Sequence, residues 1–178
     1  LLQPDGFFKI EEEQITAINH ELEAMQHNSD YLSWKEELQQ QQTVASQVLQ
    51  AAKTFLKTEK ERRARLRETG LTADEDARLI QESQFQKAEY KRQERKWKAE
   101  LTQLETRILE YEKQIQQRKQ ERKKRSAALQ LRLFAQFNLL NARGETKDLC
   151  EIFAPTAQQV PPAGAGECAA PKLLQYAY

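Results

Sequence analysis

Between Phe7 and Arg143 only Gly70 obliges a helix to break. Residues 7–69 and 71–143 contain neither glycine nor proline, and both segments are dense in Gln, Glu, Lys, Arg, Leu and Ala, the strong helix formers. At a rise of about 1.5 Å per residue, each could span about 90 to 110 Å. Composition points the same way. An apolar share of 39% beside 31% charge in 178 residues is low for one compact core and suits long, mostly solvated helices.

Periodicity says what these helices pack against. Tyr90, Glu94, Trp97, Leu101, Leu104, Ile108, Tyr111 and Ile115 alternate steps of four and three, a heptad seam with one acidic interruption. The first segment carries a matching seam through Tyr31, Trp34, Leu38, Gln41, Ala45, Val48, Ala52, Phe55, Glu59, Arg62 and Leu66. Ahead of it, Ile15, Ile18, Leu22 and Met25 form a stripe of their own. That stripe runs on to Ser29 and Leu32 rather than to Tyr31 and Trp34. The spacing therefore predicts a break at Asn28-Ser29-Asp30, with Ser29 or Asp30 capping a new helix.

The link between the long segments supplies a turn. Gly70 suits a left-handed helix end, and Thr72 with Glu75 makes a capping box for the next helix. Folding about it brings basic residues 57–67 near Asp74, Glu75, Asp76 and Glu82, each sign at the helix end whose dipole favours it. At the far end Phe7, Phe8 and Ile10 meet Leu131, Leu133, Phe134 and Phe137. The expectation is an all-α fold: a long antiparallel helical hairpin, a coiled coil, with an irregular C-terminal tail. Helices are expected at about 7–27, 31–68 and 73–142. Residues 1–144 form the hairpin region. Residues 145–178 hold a short helix, a proline-rich connector and the start of a following domain. Pairing of the seams between two chains, giving a homodimer, is the alternative to an intramolecular hairpin.

Several function classes lack support. No window approaches the roughly 18 consecutive apolar residues of a membrane span, and a net charge of +1 exerts no global pull on nucleic acid or lipid. The two cysteines, Cys150 and Cys168, are isolated, which suits a reducing compartment and points to the cytoplasm. His20 and His27 lie two helical turns apart with no further ligands to complete a metal site. Residues 164–168, Gly-Ala-Gly-Glu-Cys, lack the third glycine of a dinucleotide fingerprint and the Lys and Ser/Thr of a P-loop, so they read as a tight connector. Cys150 reads as a packing residue rather than a nucleophile. One cluster stands out: Arg118, Lys119, Arg122, Lys123, Lys124 and Arg125. It carries enough positive charge to grip several phosphates, but dense charge is also the ordinary solvated face of a coiled coil, and Glu21 and Glu23 fold back towards it.

The last residues, 164–178, carry only two charges and want a core, and the chain opens on Leu1 rather than Met. Both ends read as cuts within a longer protein. Asn141-Ala-Arg-Gly-Glu-Thr-Lys-Asp-Leu-Cys-Glu-Ile-Phe153, Gly164-Ala-Gly-Glu-Cys-Ala-Ala-Pro-Lys-Leu-Leu-Gln-Tyr-Ala-Tyr178 and the entry Pro4-Asp-Gly-Phe-Phe8 resemble a long-chain subgroup of the RluA-like RNA pseudouridine synthases. The resemblance implies a helical region preceding a catalytic domain that isomerises uridine in rRNA or tRNA without a cofactor. It implies a catalytic aspartate after an Arg-Leu pair. Here those pairs are followed by Arg67, Ile80 and Phe134, so no catalytic residue is expected in this chain.

Overall fold

In the computed structural model, which describes residues 5–177, the elements are α1 (Phe7–Gln26), α2 (Ser29–Glu68), α3 (Ala73–Phe134), β1 (Asn138–Leu140), β2 (Thr146–Asp148), α4 (Leu149–Phe153) and α5 (Ala169–Ala177). Gly70 separates the two long arms, while the break between α1 and α2 and the end of the second arm fall where there is neither glycine nor proline. Leu1, Pro4 and Tyr178, used in the sequence reading, lie outside the described residues. The fold is an all-α helical hairpin with a single two-stranded sheet among the described residues. Two compact units share it, and α3 contributes to both.

One unit is His27–Gln114. It opens at Asn28, whose extended backbone (φ −62°, ψ 125°) and side chain, accepting the Tyr31 N–H at 2.9 Å, cap α2. The cap sits one residue before the Ser29 or Asp30 expected, because an Asn at that position reaches the third amide of the helix. At the other end of α2, Gly70 takes φ +83°, and the Thr72–Glu75 box starts α3. The two helices run antiparallel. Near the open end the Tyr31 hydroxyl donates to Glu112 at 2.9 Å, Tyr31 packs on the Tyr111 ring, and Arg107 lies over Trp34. Burial, then the hydrogen bond to Glu112, raises the Tyr31 pKa. Near the turn Arg62 holds both Glu82 oxygens (2.7 and 2.8 Å) and Arg67 bonds Asp76 (2.7 Å).

The seam differs from the sequence reading in its second half. Ala45, 3% exposed, anchors it, but beyond that point Leu49, Leu56 and Arg63 turn inward in place of Val48, Phe55 and Arg62. Val48 is 38% exposed and Phe55 54%, whereas Arg63 is only 4% exposed. On α3 Gln93 takes the place read for Glu94, which faces solvent. Each helix thus contains one step of three followed by two of four: Leu38, Gln41, Ala45, Leu49 on α2 and Tyr90, Gln93, Trp97, Leu101 on α3. That is an eleven-residue repeat of about 3.67 residues per turn inserted into heptads. Both insertions lie at the same level of the hairpin, so the helices change phase together and remain in mesh. Towards the turn the seam becomes polar. Arg63 donates to Gln86 at 2.7 Å, and Gln86 in turn donates to Glu82 and Glu59.

The other unit pairs α1 with α3 from Ile115 onward and includes the tail. Ile18 and Leu22 of α1 and Ile115, Leu129 and Phe134 of α3 are buried, and Arg132 lies over the Phe7 ring at 4.3 Å. Here α3 corrects the expectation of a helix to residue 142, since it stops at Phe134. The Gln136 and Phe137 amides bond the Leu133 and Phe134 carbonyls, closing the helix with tighter turns. Leu139 and Leu140 then enter β1, which pairs antiparallel with β2. The Asn141 side chain accepts the Arg143 and Glu145 amides, and Gly144 takes φ +80°, completing the loop between the strands. The tail is irregular from residue 154 to residue 168, as expected, and short elements on either side tie it down. Asp148 and Glu151 form a reciprocal capping box for α4, and the Gln175 amide of α5 bonds both the N–H and the C=O of Leu140 (2.7 and 2.8 Å).

Candidate nucleic-acid interface

The six basic residues of the sequence cluster lie on one stretch of α3, but the helix divides them by type. Arg118, Arg122 and Arg125 recur at steps of four and three, so they share the face that meets α1. Arg118 bonds Glu21 (3.3 Å) across the pair and Glu121 (2.8 Å) along its own helix. Arg122 donates to Asn19 at 3.3 Å. Arg125 reaches Glu11 (3.2 Å), Gln14 and Glu121. The hydrogen bond and charge of Glu121, together with Glu21, raise the Arg118 pKa, and the bond from Arg118 lowers that of Glu121. The guanidinium forks suit this bridging task, because one group can satisfy two carboxylates at once.

Lys119, Lys123 and Lys124 are exposed and form no ion pair among the described residues. Lys119 and Lys123 stand one turn apart on the same side, and Lys124 lies about 100° further round the helix. They form a small patch of mobile point charges, chemically suited to phosphate oxygens but without a neighbouring aromatic platform for base stacking. The partition of arginines from lysines depends on which face of α3 meets α1, and the sequence cluster alone does not contain it.

Among the described residues the remaining candidates assemble no site. Gly166 is buried with φ +84°, and a Cβ there would lie 3.0 Å from Leu149 Cδ1 and 3.4 Å from Phe137. The Ala165 and Glu167 amides are committed to turns on Pro162 and Gly164. Residues 164–168 therefore pack a close connector against the tail, and their amides do not converge on an anion. His20 is exposed on α1 and His27 follows it at the helix end. Among the described residues no three His, Cys, Asp or Glu side chains come together as metal ligands. Cys150 is half-buried, Cys168 is exposed, and both are free thiols.

No protein-family model, curated protein or solved structure matches the chain. Among the described residues no helix is long and apolar enough to cross a membrane.

Proposed function

We propose that this chain is the accessory N-terminal helical region of a cytoplasmic RNA pseudouridine synthase, and that Lys119, Lys123 and Lys124 give the enzyme an added grip on rRNA or tRNA phosphates. The catalytic domain and its aspartate belong to the longer protein, and the chain itself performs no chemistry. The observation that carries the RNA contact is the division of the basic cluster: its arginines bridge to α1 and to Glu121, while its lysines face solvent with no ion pair among the described residues. The resemblance of residues 141–153 and 164–178 supplies the enzyme class.

Three lysines set the scale of the contact. With about 0.7 to 0.9 counterions released per phosphate, affinity for structured RNA falls roughly 20- to 40-fold between 50 and 200 mM salt. A fluorescence titration of a folded RNA at both salts reads this, with a K119Q/K123Q/K124Q chain beside it. The triple variant is expected to lose the salt-dependent part. Equal binding by the variant, or no binding at 50 mM salt, sinks the RNA contact. The enzyme class is tested separately in the full-length protein, where a domain without an Arg-Leu-Asp motif after Tyr178 removes it. A structural or tethering coiled coil with no RNA role is the competing reading, and the arginine bridges to α1 favour it.

A further inference from the structure

The inward rotation of Leu49 and Leu56 leaves a second heptad stripe of α2 uncovered. Val44, Val48, Ala51, Phe55 and Thr58 lie exposed along one side of the hairpin at steps of four and three, and the same spacing reaches exposed Glu37 and Arg62 at the ends, passing through Gln41, which borders the seam. Val44 is 45% exposed, and Phe55 shares an open groove with Phe85, itself 69% exposed. An apolar stripe of this kind on a highly charged chain marks a contact surface.

The stripe reads the same from either end. Reversed upon itself, it sets Val48 against Ala51, Val44 against Phe55, Gln41 against Thr58, and Glu37 against Arg62. Apolar residues meet at the centre and opposite charges meet at both ends. A two-fold contact between identical chains requires this self-complementarity, since each residue must suit its mirror position, whereas an unrelated partner imposes no such symmetry. Residues 39–52, at the centre, carry no charge at all, in a chain where 31% of residues are charged. Two copies can therefore approach there without like-charge repulsion. Parallel pairing is disfavoured because it sets Glu37 beside Glu37 and Arg62 beside Arg62.

The end groups retain bonding capacity for the contact. Arg62 uses Nε on Glu59 and Nη2 on Glu59 and Glu82, leaving Nη1 without a partner among the described residues. Among the described residues, Glu37 accepts only the Gln41 side-chain amide, at 2.9 Å. We propose that this stripe of α2 is a homodimer interface, in which a second copy of the chain packs antiparallel on residues 37–62 and Phe55 of each copy covers Val44 of the other.

Light scattering on the 178-residue chain from about 1 µM to about 1 mM tests it. Wild type is expected to move from 20.8 kDa towards twice that mass as concentration rises. Val48→Asp with Phe55→Asp, at positions already exposed in the single chain, is expected to hold it at one chain with unchanged helical circular dichroism. E37R and R62E are each expected to weaken association about tenfold or more by setting like charges opposite each other. An equimolar mixture of the two restores it, because both contacts across the two-fold are then complementary. One-chain mass for wild type throughout overturns the proposal. So does a dimer that survives the Asp variants, or a mixture that stays monomeric.

Discussion

At the scale of single residues, the entry to the hairpin depends on one amide. Asn28 stands between α1 and α2, where its side chain is the partner of the Tyr31 N–H. Asn28→Ala leaves that donor to water at the start of a helix, and is expected to lower stability by about 1 kcal/mol. A shift of the urea midpoint with an unchanged slope reads this, while Asn28→Asp should retain most of the stability. The sequence placed the break correctly because the stripe through Ile15, Ile18, Leu22 and Met25 falls out of step there. It misplaced the cap because Asn28, Ser29 and Asp30 all have capping side chains, and spacing alone does not choose among them.

Among the elements, the informative contrast is between neighbours on α2. Leu56 lies in the seam, whereas Phe55 is more than half exposed, although either fits a heptad drawn from the sequence. Leu56→Ala is expected to destabilise the hairpin by about 2 kcal/mol, the lower end for a core leucine. Phe55→Ala, in the E37R background and at low concentration, is expected to cost far less. Equal losses in thermal melts would return the seam to the register read from sequence. That register failed past Ala45 because Val48 and Leu49, like Phe55 and Leu56, are adjacent apolar pairs. Which member turns inward depends on the phase of α3, information that no single helix holds. The end of α3 failed for a related reason: Leu139 and Leu140 suit a helix as well as a strand, and the turn chemistry of Asn141 and Gly144 decides between them. Long helices and their antiparallel pairing were legible because Gly70 is the one glycine or proline between residues 7 and 143 and the strong helix formers run on either side of it. The division of the basic cluster was not, since it depends on where α1 lies.

For the whole molecule, acid is the expected weakness. The pKa of Glu59 is lowered chiefly by its hydrogen bond from Arg62, that of Glu75 by the Thr72 amide, and that of Glu121 by Arg118. Each folded-state value lies below the ordinary 4.5, so each group contributes stability that is complete above that pH and is lost as pH falls through the lowered values. Urea midpoints measured from neutral to about pH 2 should therefore hold steady until the carboxylate range and then fall. A midpoint that rises on acidification contradicts this assignment of charges.

The paired eleven-residue steps on α2 and α3 also constrain how such a chain can change over generations. A heptad arm tolerates gain or loss of whole repeats only while its partner stays in phase, and here both arms carry the same irregularity at the same height. An insertion of one or two residues in α2 alone rotates everything beyond it away from α3. Length changes that preserve the hairpin must come in matched pairs, one in each arm. In related sequences, residues on either side of Gly70 should thus be gained and lost together.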